Sequence, residues 1–454
     1  MAANTKKKID HDGSGGGGFD FVDLFAGIGG FHAALSGMGG NCVYAVEIDE
    51  AAATVYARNW GMNPLGDITA DVTEEHVKVP AHDVLAAGFP CQPFSKSGRQ
   101  RGMNETRGTL FWSILRIIDE RRPALVVLEN VRNLAGPRHA HEWDVIVRTL
   151  REAGYKVASE PGIFSPHLLP KRLGGRPQVR ERVFIVAVRD DSSASECSLV
   201  EDLPVVNNRP VDGWDPKKWV LSSDLPLLRS KKIENCSLSV SETRWIDAWN
   251  DFVEGMWEER NGVRLPGFPL WGDDWVTLDE LVLPKDTPKW RSNILHKNAE
   301  FYTEHKRYID KWTKKWGFYS DKFPSSRRKF EWQAQDTPSL WETVIHLRPS
   351  GIRAKRMTYV PALVAITQTS IIGPRKRRLA PREAARLQGL PDSFSFGDQP
   401  DSATYRQLGN GVSVGAVWHV VRQAVERHKD LLSTTCPNLV DSVLGASESP
   451  DLAR

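Results

Sequence analysis

Long apolar runs are missing from this 454-residue chain. No stretch approaches the roughly 20 residues that a bilayer-spanning helix needs, and no leader pattern of charged, apolar and small residues is seen, so membrane spans and secretion are not expected. Cysteine is scarce as well: five residues, at 42, 91, 197, 236 and 436, show neither metal nor disulfide spacing. A reducing, cytoplasmic setting follows, with no metal expected. Charge of one sign is also lacking, since 60 Lys+Arg face 57 Asp+Glu for a net +3. Affinity for a polyanion must therefore come from local clusters of charge rather than from the whole.

The length suffices for a large core and two domains. Residues 1–18, with Lys6-Lys7-Lys8 and Gly15 to Gly18, read as a flexible tail. From Phe19 strands and helices alternate: Phe19 to Phe25, a helix near Phe31 to Met38, Cys42 to Glu47, a helix from about Ala51 to Trp60, a strand at Asp83, a helix near Leu110 to Arg121, and a strand at Leu125. Such alternation predicts an α/β, doubly wound, mostly parallel sheet over 19–190. Residues 191–374 lack it and hold 12 of the 16 tryptophans, which predicts a smaller, irregular domain whose tryptophans are mainly core. Over 375–430 the chain returns to the first domain, with Pro381 opening a helix that Gly389 stops and a closing helix from Val412 to about His428. Residues 431–454 read as a second flexible tail.

The stretch Gly88-Phe89-Pro90-Cys91-Gln92-Pro93-Phe94-Ser95 is the most informative. It follows a short apolar run that reads as a buried strand, and the loop beyond a strand's carboxyl end is where open α/β sheets bind ligands. Pro90 and Pro93 fix their own backbone angles, so Cys91 sits on a stiff turn that can aim a thiolate. Leu125 to Leu128 is another buried strand and delivers Glu129-Asn130-Val131 to the same edge, where an acid could protonate or hydrogen-bond a substrate nitrogen. Gln178-Val179-Arg180-Glu181-Arg182 leads into a third apolar run, with guanidinium groups that could bind a carbonyl oxygen or phosphates. Gly27-Ile28-Gly29-Gly30, between a strand and a helix, lets the backbone approach a ligand, but its spacing is not that of the dinucleotide fingerprint.

These blocks, in this order, resemble those of the C5-cytosine DNA methyltransferases of bacterial type. Asp23 to Phe31, Glu47, Gly66-Asp67-Ile68, Gly88 to Gly98, Glu129 to Val131, Gln178 to Arg182, Arg378 to Gly389 and Gln407 to Val412 all match. The resemblance covers about residues 19–190 and 375–428 and says little about the insert. It implies a Rossmann-like catalytic domain, S-adenosylmethionine as cofactor, and double-stranded DNA as partner. Glu47 would accept from ribose hydroxyls and Asp67 from the adenine amine. Phe25 and Ile48 would pack on the cofactor, and Gly27, Gly29, Ile68, Pro90 and Asn410 would complete its pocket. Gly411 departs from the serine that many members carry there.

By the same resemblance Cys91 would add to cytosine C6 and make C5 nucleophilic, a covalent route that replaces one hard step by easier ones. Glu129 would meet N3 and the exocyclic amine, while Arg180 or Arg182 would steady the base carbonyl or the thiolate. No residue is evident as the base for the C5 proton. The target must be flipped out of the duplex, and the stretch Ser95 to Gly102 reads as a loop closing over DNA through Ser95, Ser97, Arg99 and Arg101. The insert would be the target-recognition domain, with basic runs such as Arg327-Arg328-Lys329 and Arg375 to Arg378 available to phosphates. A host-protective, restriction-modification role and action as a monomer, at the nucleoid, are the further expectations. Competing readings are a transfer-RNA cytosine methyltransferase, disfavoured by the long insert, a catalytically silent DNA-binding relative, disfavoured by the intact blocks, and a nicotinamide dehydrogenase, which only the glycine loop suggests.

Overall fold

A computed structural model of the protein describes residues 18–90, 109–191, 199–229, 233–363 and 369–453. The N-terminal half supplies strands β1 (Phe19–Leu24), β2 (Gly40–Val46), β3 (Val84–Ala87), β4 (Leu125–Val131), β5 (Tyr155–Ala158), β6 (Gly162–Phe164), β7 (Gln178–Val179), β8 (Arg182–Arg189) and β9 (Val200–Glu201). All but β7 form one sheet in the order β2-β1-β3-β4-β8-β5-β9, with β6 also paired to β8. Pairing is parallel from β2 to β4, as expected of alternating strands and helices. The sheet is nevertheless mixed, because β8 runs antiparallel to β4, β5 and β6.

The central strands are covered on both faces, which is why they read as unbroken apolar runs. Val84, Ala86, Leu125 and Val127 join the core that includes the helices Gly30–Gly37 and Val414–Arg427. Their neighbours Leu85, Ala87, Val126 and Leu128 join the opposite layer, under the helices Leu110–Arg121 and Ala140–Glu152. The helix Pro381–Gln388 begins on its proline and ends at left-handed Gly389, as the sequence predicts.

The insert is more regular than its sequence suggests. It adds β10 (Leu270–Trp271), β11 (Lys329–Gln333), β12 (Val344–Arg348), β13 (Gly351–Lys355), β14 (Val360–Pro361) and β15 (Ile371–Ile372), and β16 (Arg377–Arg378) follows directly after it. Six of these form a second sheet, β10-β11-β13-β12-β15-β16, while β14 pairs with β7. Two long helices, Val240–Glu259 and Lys289–Trp316, pack on one face of that sheet. At their centre Trp249 is fully buried, stacked on Phe330 with ring centroids 4.5 Å apart, and its indole donates to the Arg327 carbonyl at 2.8 Å. Very short strands and a β11–β13 pairing that skips β12 explain why no local alternation shows.

The expected tail at 431–454 is a correction. Helices Lys429–Thr435 and Pro437–Gly445 occupy it and bury Leu432, Cys436, Leu439, Val440 and Val443 in the first core. Their apolar residues recur at the three- and four-residue spacing of a helix that packs on a core.

Candidate active site

The parallel strands β1 to β4 all end at one edge of the first sheet, and antiparallel β8 starts there. A cleft of about 460 Å³ opens at that edge, within the size range of small-molecule sites.

The chain after β1 is bent by three residues with positive φ: Phe25 at 56°, Gly27 at 55° and Gly29 at 89°. A side chain at Gly27 would be strained, yet open space lies above it, so its backbone faces the cleft bare. Gly29 has a different reason. A Cβ there would stand 2.1 Å from the Trp60 indole nitrogen, which donates to the Ile28 carbonyl at 3.1 Å. Gly29 thus supports the loop from behind and does not line the cleft.

Glu47 follows β2, and its two carboxylate oxygens accept from the backbone N–H groups of Gly27 and Asp49, each at 2.8 Å. These bonds fix the carboxylate at the cleft wall, between the glycine loop and the next helix. Asp67 uses Oδ1 to cap the short helix Ile68–Asp71, accepting from the Thr69 amide and hydroxyl. Phe25, Ile48, Ile68, Pro90 and Asn410 also line the cleft, and Ile48 is 73% exposed, an apolar side chain without cover on its outer side.

Glu129, two residues before the end of β4, is nearly buried, with Arg182 Nε 3.1 Å from its Oε1. Burial pushes its carboxyl above the ordinary range, while Arg182 and Arg180 pull the other way. Arg182 lines the same cleft from the start of β8. Arg180 does not. Its guanidinium is fully buried and donates to the carbonyls of Leu363 at 2.9 Å, Gly409 at 2.8 Å and Gly411 at 2.5 Å. Burial first, then the nearby Arg182 charge, draws it down to about 9. Cys91, Ser95, Ser97, Arg99 and Arg101 lie outside the described residues, but Pro90 stands in the cleft wall next to Glu129 and Asn130.

Two features were not read as functional from the sequence. Asn130, inside the Glu-Asn-Val block, donates from Nδ2 to the Phe89 carbonyl at 2.9 Å and so ties the end of β4 to the turn that leads to Cys91. Arg406 and Gln407 bring the helix Asp401–Asn410 into the cleft wall; Gln407 opens the last matching block, while only nearness to that block pointed to Arg406. The basic runs turn inward more than expected. Arg377 is buried in a two-bond pair with Glu383 at 2.9 and 2.7 Å, Arg378 pairs with Glu242, and Arg328 pairs with Asp273 at 2.8 Å.

Among the described residues no helix is long and apolar enough to cross a membrane, and no cluster of three or more metal-type ligands occurs.

A Rossmann-like sheet with helices on both faces, a cleft at its strand ends and a separate smaller domain are consistent with the fold of the S-adenosylmethionine-dependent methyltransferases. Residues 19–426 match the C-5 cytosine-specific DNA methylase family, and the chain belongs to it, as a DNA (cytosine-5-)-methyltransferase. It is 46% identical over 511 aligned positions to the Type II methyltransferase M.AluI of Cellulosimicrobium cellulans, covering 95% of this chain and 97% of that protein. To M.HhaI of Haemophilus parahaemolyticus it is 44% identical over 407 positions, 89% of this chain and 93% of the relative. M.HpaII of Haemophilus parainfluenzae is 29% identical over 410 positions, 90% of each.

Proposed function

We propose that the enzyme methylates C5 of a cytosine flipped from a specific duplex sequence, with Cys91 as nucleophile and Glu129 as the acid at the ring. The observation that supports this best is the convergence of Pro90, Glu129, Arg182 and Glu47 on one cleft.

The cleft suits S-adenosylmethionine. Bare backbone at Gly27, a fixed carboxylate at Glu47, the carboxylate of Asp67 and the apolar surfaces of Phe25 and Ile48 offer what ribose, adenine and methionyl groups need. When bound, the cofactor supplies an electrophilic methyl group. Addition of the Cys91 thiolate to C6 forms an S–C bond and pushes electrons towards N3, where Glu129 donates a proton and C5 becomes nucleophilic. Arg182 holds Glu129 in place. Once C5 is substituted its proton passes to water, the C5=C6 bond re-forms as the thiolate leaves, and N3 returns its proton to Glu129.

Arg180 is a positioning residue, since it touches backbone rather than the cleft. The loop bearing Ser95, Ser97, Arg99 and Arg101 would close over DNA. Relatives named Type II methyltransferases support a protective role beside a restriction nuclease, carried out by a monomer in the bacterial cytoplasm.

The test is incubation with radiolabelled S-adenosylmethionine and mixed-sequence duplex DNA, beside Cys91→Ala and a transfer-RNA substrate. Label on DNA as 5-methylcytosine, absent from the variant, is expected; label in the Cys91→Ala reaction would remove the nucleophile assignment, and label confined to transfer RNA would remove DNA as substrate.

A further inference from the structure

The second sheet has one face that its own core does not use. Along β11, β12 and β13, Phe330, Trp332, Ile345, Leu347, Ile352 and Ala354 enter the aromatic core. The alternate residues Glu331, His346, Arg348, Arg353 and Lys355 therefore occupy the opposite face. Val344 shares that face because it pairs with Lys355, and it is buried in the core cluster of the catalytic domain, which also holds Leu363 and Leu408. The polar face is thus turned towards the catalytic domain. A cavity of about 510 Å³ separates the two, lined by His346 and Arg348 on one side and by Leu363 and Tyr405 on the other. It adjoins the active cleft: the Leu363 carbonyl is held by Arg180, and Tyr405 precedes the cleft residues Arg406 and Gln407 on one helix.

On this face Glu331 stands across from Arg353, which stands across from His346. Glu331 accepts from Arg353 Nε through Oε2 and from Arg348 Nη2 through Oε1, each at 2.6 Å. All three side chains keep about a quarter to a third of their surface exposed, so the pairs contribute little to stability. Their effect is orientation. A carboxylate on Nε fixes the plane of the Arg353 guanidinium and leaves both terminal nitrogens outside that bond, the fork that matches O6 and N7 of guanine in the major groove. Lys329 and Lys355, point charges without a fork, suit phosphate contacts instead.

On the premise that duplex DNA is the substrate, we propose that Arg353, aligned by Glu331, reads a guanine of the target sequence. Arg348 and Lys355 flank it on the same surface.

The test uses the full-length protein, a duplex library randomised around a central cytosine, and sequencing of 5-methylcytosine positions. Arg353→Lys keeps the charge and loses the fork. It is expected to lower the preference for guanine at one position by about 5- to 150-fold and to leave the other positions unchanged. Glu331→Gln, which removes no cation, is expected to weaken the same position. Lys355→Ala should weaken all sequences alike and flatten the salt dependence. Unchanged base preferences in Arg353→Lys, or a loss spread evenly over every position, would overturn the assignment. If Arg353→Lys does not fold, as judged by circular dichroism, an unchanged preference in Glu331→Gln overturns it instead. Absence of methylated DNA with the wild-type protein would overturn it together with its premise.

Discussion

At the scale of single residues, two buried carboxyl groups have opposite uses. Glu129 faces the cleft, where burial raises its pKa against the pull of Arg182 and Arg180 and so favours the protonated form that the proposed role requires. Glu129→Gln retains the shape and loses that proton. Methyl transfer should fall by about 10²- to 10⁴-fold, with cofactor affinity, measured by calorimetry, unchanged. In the wild type kcat/KM should decline as pH rises through the Glu129 pKa, a limb absent from the variant. A variant with normal turnover would show that Glu129 is not the acid.

Asp23, on β1, is fully buried. Burial holds its carboxyl well above the ordinary range, the His32 backbone N–H opposes this, and the Glu47 charge adds to it. A folded-state pKa above the unfolded one means that folding penalises the ionised form, so stability falls as pH climbs from the unfolded value towards the folded one. Asp23→Asn removes the penalty. The variant should gain about 1–3 kcal/mol at neutral pH and nothing below about pH 4, as read from denaturant melts at both; equal gains at both would refute it.

At the scale of elements, local signals were legible where they act locally. Pro381 and Gly389 bound their helix because one lacks an N–H that the first turn does not need and the other adopts a left-handed angle without strain. The glycine turn at Gly27 to Gly30 was legible between its strand and helix, but not that Gly29 makes room for Trp60 from behind. The helices Lys429–Thr435 and Pro437–Gly445 were missed because each is short, and isolated helices of that length are marginal until packed. Packing makes them part of the fold. Leu439→Ala, at a fully buried site, should cost about 2–5 kcal/mol in a thermal or denaturant melt, where a flexible tail would register nothing.

At the scale of the whole molecule, Arg180 joins segments far apart in the chain. Its bonds reach the strand-end segment at Leu363 and the Gly409-Asn410-Gly411 turn, while its own amide donates to Ser165 Oγ at 2.8 Å. Gly30 completes the contact from the other side, since a Cβ there would stand 2.8 Å from the Val412 carbonyl. Arg180→Met would strip donors from three carbonyls, at a cost of at least about 2 kcal/mol. It should also weaken cofactor binding through the Asn410 turn. Unchanged melting and unchanged affinity would show that the contacts do not hold the segments together.

The sequence by itself determined the catalytic blocks, their order and the strands that carry them. Each depends on neighbours within a few residues: a proline-bounded turn, an apolar run, an acid at a strand's end. The tertiary structure alone decided which of two arginines, Arg180 or Arg182, meets Glu129: Arg182, at the start of β8, turns towards the cleft, while Arg180, just before that strand, is held by carbonyls inside the fold. It likewise decided that Arg328 of the insert and Arg377 just after it are spent on buried or half-buried carboxylates, and that Arg348 and Arg353 share Glu331 on the face turned to the catalytic domain. Such pairings join residues many positions apart, and only chain folding brings their charges within reach.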